Sequence, residues 1–391
     1  MRPKSVAVIV GGGIAGLATA WWLDKAGWQS IVVERAERFR TGGYVVSITG
    51  HGYQTLKDMD LLDEVKARGL RFDTNIIKES NGKELCRIGY HEIHLPLEYV
   101  SVCRDDLARV LVKALPESST IRFGETVSDF TEEGEKIRTT LAGGDVIEAD
   151  LLIGADGFRS EIRQKLYQDD NASYLEPMGY YYAAYNFEHE GGAEDDRVCH
   201  SFNSPGQMDM FFPSRVGTMT AMHIWRENRN LSVPKPQDKF DVLHGLAAKS
   251  APEAREAVER AEREGALVNM DSLTLVTLPQ WSKGRVVLLG DAAHCLTLLS
   301  GQGAGMALVS SEILGKELQK TTDVLEALRN HEAKLRPAIE RLQARSRRLA
   351  MWYIPGSTIA YHIRNFILRL MPHSWLVAFH VNTIKQEIDL T

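Results

Sequence analysis

The sequence predicts an α/β fold in which a parallel-sheet unit is interrupted by an antiparallel sheet and finished by helices. Three observations carry that expectation. A glycine-rich turn, GGGIAG, joins an apolar run, VAVIV, to a helical stretch near the N-terminus. A second apolar run, RVVLL at 285–289, meets Gly290-Asp291 late in the chain and repeats the strand-then-turn pattern. Between them, 175–225 alternates aromatic and other side chains (MGYYYAAYNF, QMDMFFP, TMTAMHIW), the pattern of a twisted antiparallel sheet rather than of further βαβ units.

The elements follow in order. A strand at 5–10, a helix at 14–27 and a strand at 30–34 form an opening βαβ unit. Residues 51–68 read as helical, 71–101 as short β runs with turns such as Asn81-Gly82, and 104–114 as helical again. Gly143-Gly144-Asp145 marks a hairpin before a strand at 150–154. The stretch 237–264 is helical and charge-rich, and the strand at 285–289 should return to the first parallel sheet. From 303 to about 350 the pattern is long-helical, with Pro337 and Pro355 expected as breaks.

Composition narrows the function classes. A chain of 391 residues, 44% hydrophobic and 25% charged, has material for two or three folding units with real cores. Forty-six Lys and Arg against 52 Asp and Glu leave a net charge of −6, which offers no footprint for nucleic acid. The four cysteines (86, 103, 199 and 295) show no CxxC spacing, so no metal site or disulfide framework is expected, and reduced thiols in a cytoplasmic protein fit them. The basic start Met1-Arg-Pro-Lys runs straight into the first strand rather than to a cleavage site. The apolar region 354–384 is interrupted by His362, Arg364, Asn365, Arg369, Pro372 and His373. It reads as a pair of amphipathic helices packed on the body, in preference to a helix at a membrane surface, and membrane association is not expected.

Gly11, Gly13 and Gly16 have GxGxxG spacing directly between strand and helix, with Ile14 and Ala15 opening that helix. Gly11 permits the tight turn, Gly13 lets backbone approach a pyrophosphate, and Gly16 lets helix and strand pack closely, so that the helix N-terminus faces the phosphates. Glu34 ends the second strand 18 residues beyond Gly16, where a carboxylate can accept both hydroxyls of an adenosine ribose. The pair indicates a dinucleotide without saying which.

The segment GRVVLLGDAAHCLTLLSGQGAGMAL (284–308) separates the possibilities, because a nicotinamide enzyme has no need of a second glycine-rich site. Asp291, at a strand tip, can hold a ribityl hydroxyl, and Gly301-Gln302-Gly303 at a helix start can offer N–H groups to the anionic edge of a reduced flavin. Asp291 could instead cap the following helix, and His294 reads as a satisfied core histidine. A third segment, LLIGADGFRSEIR (151–163), again runs strand, Asp156-Gly157, helix, and Asp156 alone could be a turn residue. Arg104 opens a helix after an apparent strand, placed either to reach phosphate or flavin or to pair locally.

In this order and spacing, the three segments resemble the FAD-dependent aromatic hydroxylases, the group A flavoprotein monooxygenases of the para-hydroxybenzoate hydroxylase fold, including the tetracycline-inactivating flavin monooxygenases. The likeness covers roughly 5–350 and is specific at GGGIAG, Glu34-Arg35, GADGFRSEIR and GDAAH…GQG. It implies a Rossmann-like FAD-binding domain (1–78, 100–172 and 270–350), an inserted antiparallel-sheet substrate domain (79–99 and 173–269) and a C-terminal helical segment (351–391). It assigns Gly11, Gly13, Gly16, Glu34 and Arg35 to the adenosine diphosphate, Arg104 to the flavin side, Asp156 to a motif shared by FAD and NAD(P)H, and Asp291 to the ribityl chain. Gly301, Gln302, Gly303 and Ala304 would lie against the isoalloxazine, and Arg40, Gly42 and Gly43 in RTGGY would form a loop passing it. One departure is plain: many relatives carry prolines between GDAAH and GQG, and this chain reads Cys295-Leu296-Thr297-Leu298-Leu299-Ser300.

The resemblance further implies that NADPH or NADH, bound transiently, reduces FAD, and that dioxygen then forms a flavin C4a-hydroperoxide that hydroxylates an aromatic or polyketide-like small molecule. No metal is required. On 207–213, Met208, Met210 and Phe212 share one face and are either core or the wall of a substrate cavity, while Arg215 and His223 are the polar candidates for a phenol or enol oxygen. Two other readings stand beside this one: an FAD-dependent reductase or oxidase that inserts no oxygen, and a non-enzymatic FAD-binding module.

Overall fold

Val6–Val10 is an apolar run because both of its faces are covered: Ala7 and Ile9 join one core cluster, Val8 and Val10 another. It sits inside a six-stranded sheet, in the order Ser282–Lys283, Val286–Leu288, Leu151–Gly154, Val6–Val10, Gln29–Glu34, Ser119–Phe123. Pairing is parallel except for the Ser282–Lys283 edge. The chain thus returns to its first sheet from three distant stretches, of which Val286–Leu288 is the return expected from the late apolar run. The computed structural model describes residues 5–39, 43–94, 98–189, 197–227, 238–378 and 381.

The helix Ile14–Lys25 packs against Gly303–Lys320 on one side of this sheet. Ser311 Oγ donates to the carbonyl of Ala15 at 3.0 Å and Thr19 Oγ to Ser311 Oγ at 2.9 Å, so the starts of two distant motifs are tied together. The helical stretch expected at 51–68 is two helices, Gly50–Asp58 and Leu62–Ala67, separated where Asp60 takes a positive φ of 60°. Pro337 is not the break it was expected to be. One helix runs from Val324 to Tyr353 through it, and Leu335, Ala338 and Ile339 on either side are buried. Their packing offsets the lost backbone hydrogen bond, a penalty of about 3 kcal/mol. The actual interruption lies at 321–323, where Asp323 caps the next helix by accepting from the N–H groups of Leu325 and Glu326 at 2.9 and 3.2 Å.

The aromatic alternation does build an antiparallel sheet. Seven strands run in the order Asn269–Val276, Leu175–Glu188, Thr218–Arg226, Gln207–Arg215, Val198–Ser204, Thr74–Glu79, Glu84–Gly89, and only Val198–Ser204 with Thr74–Glu79 pairs parallel. Period-two alternation divides its side chains sharply. Tyr181, Ala183, Tyr185 and Phe187 pack under the helices Lys239–Ala247 and Pro252–Arg263, while Tyr180, Tyr182 and Ala184 face the opposite way, toward the long helix. The helix Thr358–Leu370 follows Pro355 and buries Tyr361, Arg364, Asn365 and Leu368, leaving Ile359, Ile363, Phe366 and Leu370 exposed. Among the described residues no helix is long and apolar enough to cross a membrane.

His223 belongs to the helix-covered face of that sheet. It is wholly buried, with Nδ1 2.6 Å from Asp209 Oδ1 and Nε2 2.9 Å from the Tyr185 hydroxyl. Asp209 also accepts from Gln207 Nε2 at 3.0 Å and from the Ser250 hydroxyl. A buried carboxylate is tolerable only with its acceptor sites filled, and here three donors fill them. Asp209→Ala strips the acceptor from His223, Gln207 and Ser250 at once, so unfolding stability should fall by about 3–5 kcal/mol in denaturant titration, and a variant as stable as the parent would contradict this packing.

His294 and His331 flank Trp281 in the other core, their rings 4.7 and 5.7 Å from it. Burial pushes their pKa values down, to about 3 for His294 and about 4 for His331. Unfolded, each takes up its proton near pH 6.5; folded, each stays neutral until far lower pH. The unfolded chain therefore binds more protons across that window, and stability drops as pH falls below about 6.5, by up to about 1.4 kcal/mol per pH unit for each histidine. Denaturation midpoints measured from pH 7 to 4.5 should show this slope, and His331→Gln should make it shallower; an unchanged slope would show that the histidine is not held neutral.

Candidate functional site

Parallel pairing sets Val10 beside Val33 and Gly154, and Gly154 beside Leu288, so four strands end along one edge. GGGIAG, Glu34-Arg35, GADG and Gly290-Asp291 leave the sheet there, the place where open α/β sheets hold ligands. A cavity of about 1040 Å³ runs along this edge, lined by Gly11–Ala15, Glu34, Arg35, Ala155–Phe158, Asp291 and Gly301–Ala304, and continues under the seven-stranded sheet.

Backbone contact draws the motifs together. Gly11 has φ of 106°, and a Cβ there would lie 2.5 Å from the carbonyl oxygen of Ala155. Gly290 has φ of 60°, and its Cβ would meet that of Ala15 at 2.9 Å. Gly16 needs its missing side chain for the same reason, since a Cβ would fall 2.0 Å from the Gly11 carbonyl oxygen. Gly13 differs: nothing lies within 4 Å of its Cβ position, so its face toward the cavity is open.

Glu34 is more heavily used than its spacing suggested. One carboxylate oxygen accepts from the Gly12 N–H and the other from the Ala36 N–H, both at 2.8 Å. The carboxylate fixes the glycine turn, and each oxygen keeps a second lone pair toward the cavity. Arg35 is paired with Glu161 at 3.2 Å and largely exposed. Asp156 Oδ2 accepts from the N–H groups of Glu161 and Ile162 at 2.8 and 3.2 Å, capping the helix Glu161–Tyr167, while its Oδ1 is buried without a partner. Burial raises the Asp156 pKa against those hydrogen bonds. An orphaned acceptor in a cavity wall fits a ligand that brings a hydroxyl or N–H donor.

At the far end, Asp291 begins a four-residue helix, 4.0 Å from the Cβ position of Gly303. Burial raises its pKa, and the nearby Arg104 opposes that shift. The Arg104 guanidinium lies 5.9 Å from the Tyr44 ring centre, with its pKa raised first by Tyr44 and also by Asp291. Gly303 starts an 18-residue helix whose first two residues line the cavity, and the side chain of Gln302 donates to Thr49 Oγ1 at 3.3 Å. Gly43 abuts Arg104, its Cβ position 3.3 Å from that of the arginine. Arg40 and Gly42 lie outside the described residues. In the proline-free loop, Thr297 takes the strained backbone φ of 63°.

Of the expected substrate contacts, Met210 and Phe212 line the cavity with Met208, Tyr182, Met222 and Ile224. Arg215 and His223 do not. Arg215 sits past a register shift at its strand end and is held by Asp105 at 2.7 Å and Asp106 at 3.1 Å. His223, one residue out of phase with Met222 and Ile224, points to the buried face. Sequence reasoning also passed over Arg163, which donates from Nη1 to the carbonyl of Ala292 at 2.9 Å and from Nε to Asn171 at 2.9 Å, joining two of the motifs. The only hint was an arginine inside GADGFRSEIR.

Comparison with known proteins agrees with this geometry. The family described as FAD binding domain matches residues 4–323. An FAD-dependent monooxygenase of Sarocladium schorii is 26% identical over 404 residues, covering 94% of this chain and 93% of its own. A flavin-dependent monooxygenase of Legionella longbeachae is 25% identical, covering 80% of each. In fold, the Klebsiella pneumoniae protein HpxO, solved with FAD and uric acid, superimposes with a TM-score of 0.84 at 20% identity, covering 99% of this chain and 98% of that one. The tetracycline destructase Tet(55) gives 0.82 at 22% identity and full coverage of both. A glycine turn, an acid at the end of the next strand and a second glycine-rich helix start line one cleft, and the chain belongs to the FAD-binding-domain family of group A flavoprotein monooxygenases.

Proposed function

We propose that this enzyme uses NADPH or NADH and dioxygen to hydroxylate an aromatic or polyketide-like small molecule. The observation that carries the reading is the continuity of one cavity from the Gly11–Ala15 turn, past Asp291 and Gly301–Ala304, to the apolar wall of Tyr182, Met208, Met210, Phe212, Met222 and Ile224. FAD bound there, once reduced, supplies the activation of dioxygen for transfer of one oxygen atom to an electron-rich carbon.

The chain's own residues do the rest. Gly13 leaves room for a pyrophosphate at the N-terminus of the helix Ile14–Lys25, and Glu34 turns its remaining lone pairs to the adenosine ribose. Asp156 Oδ1 accepts from a cofactor hydroxyl, and Asp291 anchors the ribityl chain. N–H groups at the start of Gly303–Lys320, with Arg104 across the cavity, stabilise negative charge on the ring edge. The seven-stranded sheet and the helices after 350 form the substrate side and shut out water. The Klebsiella neighbour was solved with uric acid, and other neighbours are a tetracycline destructase and a p-nitrophenol 4-monooxygenase, which supports a flat, electron-rich substrate for this fold.

Asp291→Asn should raise the FAD dissociation constant at least tenfold, about 1.4 kcal/mol, in a fluorescence titration, and undiminished affinity would remove the ribityl role. Glu34→Ala should weaken FAD binding by less and also cost the apoprotein about 1–3 kcal/mol, because the Gly12 and Ala36 amides lose a charged acceptor; unchanged apoprotein stability would show that the turn does not depend on it. With labelled dioxygen and a panel of phenols and polyketides, the substrate that stimulates NAD(P)H oxidation should carry one labelled oxygen atom in its product. A turned-over substrate free of label would select a reductase or oxidase instead.

A further inference from the structure

The cavity has a second end that FAD does not account for. Beyond the methionine wall it reaches Asn75, Ser201 and Asn203 on the sheet and the end of the long helix, and it is closed by Arg364 and Leu368 of the helix Thr358–Leu370. Arg364 is only 6% exposed. Its Nε donates to Asn365 Oδ1 at 2.9 Å, and its Nη1 lies 3.3–3.5 Å from the Tyr353 and Trp352 carbonyls and Asn203 Oδ1. Its Nη2 is buried with no acceptor at all. Every partner it has is neutral.

No carboxylate among the described residues lies within ion-pair distance of this guanidinium. The nearest candidate, Glu79, is engaged elsewhere, accepting from Asn365 Nδ2 at 3.0 Å and pairing with Arg369 at 2.9 Å. A buried guanidinium with no carboxylate in contact is costly: the Tyr361 ring at 5.5 Å and the more distant Glu79 offset only part of the burial that pushes its pKa down. Arginine cannot shed the charge at neutral pH, so the arrangement is completed by an anion that enters the cavity.

The sheet register gives the distance over which that anion works. Tyr182 pairs with Ile224, Ile224 with Met208, and Met208 with Asn203, one row across four strands. Three inter-strand steps span roughly 14 Å. Tyr182 neighbours Arg104 and Asp291 at the cofactor end, whereas Asn203 touches Arg364 at the other. A single benzenoid ring cannot bridge that row.

We propose that Arg364 is an anion-binding residue that selects substrates by their charge: elongated, multi-ring acids whose carboxylate or other anionic oxygen is bound by its guanidinium, while the apolar body lies along Ile224, Met208, Met210 and Met222 with its far end at the cofactor. The proposal rests on the monooxygenase reading, and it makes the C-terminal helix part of the binding site rather than a lid of no specificity.

The test uses FAD-loaded protein and three acids of increasing length, benzoate, 2-naphthoate and anthraquinone-2-carboxylate, each beside its methyl ester, with binding read by quenching of intrinsic fluorescence. The wild type should bind the two longer acids at least tenfold more tightly than their esters and benzoate weakly. Arg364→Gln should erase the acid-over-ester preference while FAD content stays the same, and Arg364→Lys should recover part of it. Absence of any preference in the wild type across the three pairs, or a preference that survives in Arg364→Gln, would overturn the proposal without touching the oxygenase assignment. Failure of that assignment would appear separately, as substrate turnover without labelled oxygen. The comparison within the wild type needs no variant to fold.

Discussion

Close backbone approach at the carboxyl edge of the parallel sheet is the constraint on which the site depends. Gly11 must pass Ala155, and Gly290 must pass Ala15, at separations no Cβ would permit. These two crossings bring together pieces of chain that lie about 140 and 280 residues apart in sequence, and they do so through main chain, where little can relax. The side-chain chemistry follows from them. Glu34 can fix the glycine turn, Asp156 can present a free oxygen, and Asp291 can stand beside Gly303 only because the strand ends are already in register.

The seven-stranded sheet solves a different problem by keeping two kinds of surface apart. Its helix-covered face holds the Tyr185–His223–Asp209 chain of hydrogen bonds, satisfied and dry, and its other face presents methionines to the cavity. Methionine is unbranched and polarizable, so such a wall adapts to flat ligands of several shapes. Polarity is withheld until the distant end of the row, where Asn203 and Arg364 stand. Orientation of a substrate then comes from one charge at its tail, and reactivity from where its head is left relative to the cofactor.

Much of this was legible in the sequence wherever a local rule had one solution. GGGIAG between strand and helix, an acid at the end of the next strand, and the period-two aromatic run each imposed their geometry, and Met210 and Phe212 fell on the cavity face with them. Reading failed where tertiary packing outvoted a local preference. Pro337 continues a helix because buried neighbours on both sides hold it, and His223 turned away from the cavity because the same alternation that selects Met222 excludes it. Arg215 is taken up by Asp105 and Asp106, residues more than a hundred positions away whose proximity no spacing announces. Arg364 was noticed as an interruption of an apolar stretch, and its meaning as a buried guanidinium appears only when its partners are counted.

In the proposed binding mode one cleft grips one long flavin nucleotide, with its adenosine end at Glu34 and its ring at the start of the second glycine-rich helix. A crystal structure of the protein with FAD tests it most directly. Density is expected for the pyrophosphate beside Gly13, the ribityl chain on Asp291 and the ring against Gly301–Ala304; density in the opposite orientation, or FAD bound outside this cleft, would overturn this binding mode.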